Sequence, residues 1–158
     1  METIYLGLGS NLGERRGQLR AALVALTRCG VVTTRVAPVI ETEALLLPGS
    51  PPSWKVPFLN TVLEARTRLS PVELLSAIKR IEQALGREPG LPRWAPRPID
   101  IDILFYGCER IDTPELTVPH PEIGVRDFVL TPLLQLAPGK PLLPGGQTVR
   151  QAWLDLPE

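Results

Sequence analysis

The chain has 158 residues, enough for one domain with a substantial core. Its 44% hydrophobic and 22% charged content exclude a disordered chain. A formal net charge of zero, from 17 Lys+Arg against 17 Asp+Glu, argues against a protein that grips nucleic acid by broad electrostatics, while leaving a local basic site open.

Thr3 to Leu8 is a short apolar run leading into Gly9-Ser10-Asn11, which predicts a buried strand entering a turn. The glycines at 7, 9 and 13 lack the lysine of a phosphate loop and the full dinucleotide-binding spacing, so a tight turn is the simpler reading. Leu19, Ala22, Leu23 and Leu26 have helical spacing, and Gly30 sits where a terminating glycine belongs; the expected helix covers about 14–28. Val31 to Ile40 is rich in β-branched residues and predicts a second strand.

Residues 43–57 hold many prolines and glycines without periodicity, the mark of a long functional or mobile loop. Phe58 to Arg66 predicts a third strand. Ser70-Pro71-Val72-Glu73 supplies an N-cap, a proline at the first helical position and a glutamate at the third, a strong helix start. Leu74, Leu75, Ile78, Ile81 and Leu85 share one face of that helix, and Gly86 stops it. After a second Pro/Gly-rich loop at 87–98, Ile99 to Gly107 is the clearest strand in the chain.

The order β-α-β-β-α-β predicts an α+β, ferredoxin-like domain with an antiparallel sheet and both helices on one face. The last fifty or so residues read as an extension of the same domain: a strand pair within 108–118, a helix near 127–136 and a terminal helix near 148–156. Residues 1–158 are thus expected to form a single domain. Cys29 and Cys108 are too few for a disulfide framework and lack metal-ligand spacing. No signal peptide or membrane-span pattern is present, so the cytoplasm is the expected location.

Chemistry concentrates at Ile99-Asp100-Ile101-Asp102-Ile103. A period of two sends the isoleucines to one face and both aspartates to the other. Their Cα atoms then lie about 7 Å apart, and two unpaired anions would drive one to protonate. A divalent cation relieves this, since Mg²⁺ takes carboxylate oxygens; a merely solvated strand face is the alternative. Upstream stand Arg87, Arg93, Trp94 and Arg97. They read either as ion-pair partners of the aspartates or as a cationic loop for a metal-bound polyphosphate, with Trp94 as a lid or stacking residue or part of the core. His120, the one histidine, lies between prolines near Arg126; it reads as structural or as a fixed phosphate contact.

These segments together resemble one family, the 6-hydroxymethyl-7,8-dihydropterin pyrophosphokinases of folate biosynthesis. The resemblance rests on Gly9-Ser10-Asn11-Leu12, Phe58-Leu59-Asn60, Arg80-Ile81-Glu82, Gly86-Arg87, the run from Arg93-Trp94 through Asp100-Ile101-Asp102-Ile103, Leu116 to His120, and Arg126-Asp127-Phe128. It spans residues 9 to 128 in the family's order, and the Arg-Trp to Asp-Ile-Asp run is its most specific part.

The resemblance implies a ferredoxin-like fold and an ATP-dependent transferase. Such an enzyme moves the β,γ-pyrophosphoryl group of ATP to the pterin's hydroxymethyl oxygen and releases AMP. It also implies two Mg²⁺ ions held by Asp100 and Asp102, with Arg87 and Arg97 catalytic at the phosphates. Lys79, Glu82, Arg87, Trp94, Arg97, Ile103, Thr117, His120 and Arg126 would lie around the nucleotide. The pterin would stack between Phe58 and Phe128, meeting Asn60, Thr42, Leu45 and Arg126. The implied partners are ATP and 6-hydroxymethyl-7,8-dihydropterin, without nucleic acid or membrane, and the expected state is a monomer or at most a weak homodimer.

The chain departs from the family pattern at several points. Loop 43–57 is long, with Glu43-Ala44 where prolines are usual. Pro89 occupies the place of a second loop arginine, Ala95 that of a frequent glycine, and Pro121 follows the histidine. A non-catalytic ferredoxin-like ligand-binding or regulatory domain is the competing reading. A two-metal nuclease would also use the aspartates but fits poorly with zero net charge.

Overall fold

The computed structural model describes residues 1–143 and 145–157; Pro144, in the last proline-rich stretch of the sequence, lies outside them. The elements in chain order are β1 (Glu2–Ser10), α1 (Arg15–Arg28), β2 (Val31–Val36), β3 (Ile40–Thr42), β4 (Phe58–Thr67), α2 (Pro71–Ala84), β5 (Asp100–Tyr106), β6 (Ile111–Asp112), β7 (Thr117–Val118), α3 (Asp127–Leu136) and α4 (Val149–Leu154). Short 3₁₀ turns lie at Pro52–Trp54 and Ile123–Val125.

The main sheet runs β2-β4-β1-β5, every pairing antiparallel, with β3 added to β4. This is the ferredoxin-like order: each helix crosses one face to link strands that are not neighbours. Alternation along the strands divides the core in two. Ile4, Leu6, Leu63, Ile101 and Ile103 face Leu19, Leu26, Leu74 and Ile78 of α1 and α2. The expectation of both helices on one face is met.

The helix boundaries follow local chemistry. Ser70 accepts from the Glu73 amide at 3.2 Å, and the Glu73 carboxylate accepts from the Ser70 amide at 3.0 Å, closing the capping box at the start of α2. Gly30 and Gly86, at φ +90° and +102°, take the left-handed conformation that ends α1 and α2 and that a side chain would resist.

One expectation is corrected. The strand foreseen over 31–40 is two strands, because Pro38 cannot donate a ladder hydrogen bond. Ala37 still donates to Val62 (3.0 Å) and its carbonyl accepts from the Thr61 hydroxyl (2.7 Å), so the chain stays on the sheet edge through the gap. The C-terminal extension consists, as expected, of short strands and helices, and it adds a second layer to the sheet. Leu130, Leu133 and Val149 pack on Tyr5, Val62, Leu104 and Phe105, so α3 and α4 cover the sheet face opposite α1 and α2. The strand pair expected within 108–118 is the short hairpin β6-β7.

Glu64 ties the second layer to the sheet. It accepts from the Tyr5 hydroxyl (2.7 Å) and from Arg35 Nη2 (2.6 Å) and Nε (3.1 Å). Arg35 Nη2 also donates to the Leu136 carbonyl at 2.6 Å, holding the end of α3. The Arg35 hydrogen bonds pull the Glu64 carboxyl down to about 2, against a burial effect in the other direction. Burial, with the Glu64 hydrogen bond next, pushes the Tyr5 hydroxyl up to about 12.

A depressed carboxyl stabilises the fold above its unfolded value and loses that contribution as pH falls; a raised phenol loses its contribution as pH rises. Stability from this cluster should therefore be full between about pH 4.5 and 10. It should decline from 4.5 toward 2 and from 10 toward 12. With Arg35 half exposed, the acid limb is worth about 1–2 kcal/mol after solvent screening, roughly 3–6 °C in melting temperature. Thermal melts across pH check this. Glu64→Gln should flatten the acid limb, and an unchanged limb would remove Glu64 as its source.

Candidate functional site

The second layer stops short of the strand ends that carry Gly9, Asn60 and Asp100, and the uncovered sheet there is the floor of a cleft of about 380 Å³. Register explains the floor. Gly9 pairs with Asn60 on one side and Asp100 on the other, while Gly7 pairs with Val62 and Asp102. Two rows thus cross the sheet, Asn60–Gly9–Asp100 and Val62–Gly7–Asp102. In each the middle residue has no side chain, so the outer side chains face one open space. A Cβ at Gly9 would lie 2.6 Å from Asn60 Oδ1 and 3.3 Å from Phe58 Cδ1. The Asn60 amide nitrogen donates to Thr42 Oγ1 at 2.6 Å, which fixes the oxygen over Gly9.

On β5 the isoleucines face the helices and the aspartates line the cleft, as the period of two requires. The two carboxylates differ. Asp100 Oδ1 accepts from Arg87 Nη1 at 2.9 Å, and Arg97 Nη1 stands 3.8 Å away. Asp102 has no ion-pair partner within 4.0 Å among the described residues. Burial first, and the Asp100 charge second, push the Asp102 carboxyl up to about 7. An anion held beside another anion in a part-closed cleft is an unfinished arrangement that an added cation completes.

Arg87 is itself positioned from below. Its Nη1 donates to Glu82 Oε2 at 2.6 Å, and the same oxygen accepts from the Ile101 amide at 2.9 Å. Glu82 is buried at the end of α2 and raised by desolvation, with the Ile101 amide and Arg87 pulling the other way. It joins α2, the edge of β5 and the arginine.

A one-residue bulge in β5 sets the opposite wall. Tyr5 pairs with Phe105 but Leu6 with Ile103, leaving Leu104 extra, and the Leu104 carbonyl accepts from the His120 amide at 3.0 Å. His120 Nδ1 accepts from the Glu122 amide at 3.2 Å, so the ring proton belongs on Nε2, which is left as a donor. Burial, then the Arg126 charge, lowers its pKa and keeps the ring neutral near pH 7.

Arg126 and Phe128 enter at the start of α3, with the guanidinium 5.5 Å from the ring centroid. Glu122 bridges Arg126 and Arg93, the latter at 3.3 Å, and Arg93 lies 4.8 Å over the Trp94 ring. Arg97 Nη2 donates to the Arg93 carbonyl, folding the loop on itself.

Of the residues expected from sequence, Thr42, Leu45, Phe58, Asn60, Arg87, Trp94, Arg97, Asp100, Asp102, His120, Arg126 and Phe128 all line this cleft. Four do not. Glu82 is the support beneath Arg87; Lys79 is exposed on α2 and Thr117 on β7; Ile103 is buried on the helix side of the sheet. Gly7, Gly9 and Glu122 also line the cleft and are outside the set expected from sequence, in which the glycines at 7, 9 and 13 read as a tight turn. The available signal for the glycines was their own spacing of two on a strand, the same period as the aspartates.

Comparison with known proteins shows the family and the fold. The profile of the 7,8-dihydro-6-hydroxymethylpterin-pyrophosphokinase (HPPK) family matches residues 5–138. A folate synthesis bifunctional protein of Chlamydia trachomatis is 42% identical over 137 residues, covering 85% of this chain and 30% of that protein; the chain thus spans less than a third of these longer relatives. The 2-amino-4-hydroxy-6-hydroxymethyldihydropteridine pyrophosphokinase of Aquifex aeolicus is 42% identical over 142 residues, covering 87% of this chain and 82% of that protein. Among solved structures, Plasmodium falciparum HPPK-DHPS with pteroate superposes with a TM-score of 0.70 at 14% identity, over 97% of this chain and 44% of that one; at that identity it speaks for the fold.

Proposed function

The chain belongs to the 7,8-dihydro-6-hydroxymethylpterin-pyrophosphokinase family, and from that premise we propose that it transfers the β,γ-pyrophosphoryl group of ATP to the hydroxymethyl oxygen of 6-hydroxymethyl-7,8-dihydropterin. AMP is the second product, and the setting is folate synthesis. The observation that carries the reading is the arrangement across β1. An amide built to read a flat polar edge stands on one side of the glycine floor, and a carboxylate pair stands on the other.

The donor set fits Mg²⁺. Among the described residues no group of three or more metal-binding side chains exists, so a metal needing a full protein cage is not served. Mg²⁺ is ordinarily held by one or two carboxylates, substrate phosphates and water. Asp100 and Asp102 would hold two such ions, which when bound would neutralise phosphate charge and favour the ionised acceptor oxygen.

The remaining roles belong to the protein. Arg87 and Arg97 bring fixed positive charge to the phosphate end, with Arg87 braced by Glu82. His120, neutral with its ring proton on Nε2, donates to a phosphate oxygen without adding charge. Arg126 stands where the phosphate and pterin ends meet. Phe58 and Phe128 take the heteroaromatic ring, Asn60 and Thr42 read its polar edge, and Leu45 and Trp94 exclude water from above. Lys79, Ile103 and Thr117 lie outside the lining of this cleft.

We further propose that residues 1–158 act as one domain, monomeric and cytoplasmic. No described helix is long and apolar enough to cross a membrane, and the zero formal charge argues against a grip on nucleic acid by broad electrostatics.

Incubation with ATP, Mg²⁺ and the reduced hydroxymethylpterin should release AMP in step with pterin diphosphate, and chelation should stop it. Release of ADP alone, or no turnover by folded protein, would overturn the proposal.

A further inference from the structure

We propose that Asn11 is a positioning residue that fastens the loops at 43–57 and 87–98 to one post, so that the two loops tighten and loosen together. The inference builds on the pyrophosphokinase reading, which places the pterin beneath the first loop and the nucleotide beneath the second.

Asn11 follows the last residue of β1 and is 1% exposed. Its backbone N–H and both ends of its side-chain amide are spent on the two loops. Its backbone amide donates to the Arg97 carbonyl at 3.2 Å, and its Oδ1 accepts from the Arg97 amide at 2.9 Å. Its Nδ2 donates to the Val56 carbonyl at 3.0 Å. One planar amide therefore holds one loop with its oxygen and the other with its nitrogen. Rotating it to follow one loop breaks its bond to the other. Because the group is buried, an abandoned partner would be left unpaired, the costly outcome for a hydrogen-bonding group.

The attachment points matter as much as the bonds. Val56 is two residues before Phe58, and Arg97 is three residues before Asp100. A shift at Asn11 is thus passed by short, sheet-anchored segments to an aromatic wall on one side and to a carboxylate on the other. Arg15, at the start of α1, reinforces the first loop by donating to the Pro57 carbonyl at 2.9 Å while paired with Glu41 at 2.9 Å. No comparable second bond to loop 43–57 comes from loop 87–98 among the described hydrogen bonds, so Asn11 is the link between them. Asn11 does not line the cleft and touches no reacting group in this arrangement; it acts through Phe58, Arg97 and Asp100.

Hydrogen exchange on the full chain without ligand tests the shared post directly. Asn11→Ala removes both side-chain bonds and should speed exchange by about tenfold or more in peptides from both loops, leaving α2 unchanged. Asn11→Asp keeps the acceptor for the Arg97 amide but sets an oxygen against the Val56 carbonyl. It should loosen 43–57 alone, and it supplies a second test should the alanine variant fold poorly. With a non-hydrolysable ATP analogue and Mg²⁺, the natural protein should gain protection in both loops and Asn11→Asp only in 87–98. In turnover, Asn11→Asp should raise the pterin KM about tenfold while the ATP KM moves less than about threefold.

Loosening of only one loop in Asn11→Ala, of neither, or nucleotide protection of 43–57 persisting in Asn11→Asp would overturn the inference. If the nucleotide protects nothing in the natural protein, the pyrophosphokinase reading fails instead, and the ligand-free exchange pattern still decides the role of Asn11.

Discussion

Asp102→Asn should reduce AMP release by about a thousandfold or more, some 4 kcal/mol of lost transition-state stabilisation, while making the ligand-free protein more stable. The two effects share a cause. The Asp102 carboxyl is raised to about 7 by burial and by Asp100, and no ion pair among the described residues relieves it. A carboxyl raised in the fold binds more protons folded than unfolded, so its contribution to stability falls as pH rises from about 4 through 7. Asparagine removes that charge. The gain should be about 1–3 kcal/mol at pH 8, the coupling to Asp100 keeping it below the full linkage value, and it should vanish below about pH 4. Melting curves at pH 8 and pH 4 beside an AMP assay measure both halves. A variant that is inactive but also less stable at pH 8 would show that Asp102 has a structural duty, and an active variant would remove it from the chemistry.

Gly9→Ala should damage pterin recognition selectively. The added Cβ would lie 2.6 Å from Asn60 Oδ1, closer than real Cβ contacts come, and Asn60 is tethered on its other side to Thr42. The amide must turn away from the position in which it reads the substrate edge. The pterin KM should rise about 10–100-fold, equivalent to about 1.4–2.7 kcal/mol, with the ATP KM little altered. Melting temperature should also fall, since a buried amide loses its geometry. Gly7→Ala provides the stability comparison: the atoms nearest its Cβ would be those of the Leu104 side chain, at 3.6 Å or more, an ordinary contact, so its melting temperature should stay near that of the natural protein. Gly9→Ala with an unchanged pterin KM would mean that Asn60 does not read the pterin.

Much of this molecule is written in short stretches of its chain. Ser70, Pro71 and Glu73 set the start of α2; Gly30 and Gly86 set the ends of both crossing helices. The alternation from Ile99 to Ile103 decides which face of β5 carries carboxylates before any neighbouring strand is known. These features depend on backbone geometry and on residues within one or two turns of each other, so local pattern suffices. The resemblance to a known family added the residues facing the aspartates across the sheet, such as Phe58 and Asn60, and twelve of the sixteen residues it singled out line the cleft. The departures came where one residue has more than one use: Glu82 braces an arginine from beneath, Ile103 belongs to the helix-facing core, and Pro38 divides a strand that looked continuous.

From the sequence alone came the order of elements, their caps, the side of the strand on which Asp100 and Asp102 project, and the cationic loop before them. Tertiary structure decided that Gly9 lies between Asn60 and Asp100, that α3 and α4 cover the second sheet face and stop before its end, and that Asn11 holds both loops. The physical reason is range. A strand's own period fixes where each side chain points, but its neighbours are chosen by pairing between segments tens of residues apart, through register and burial that no local pattern encodes.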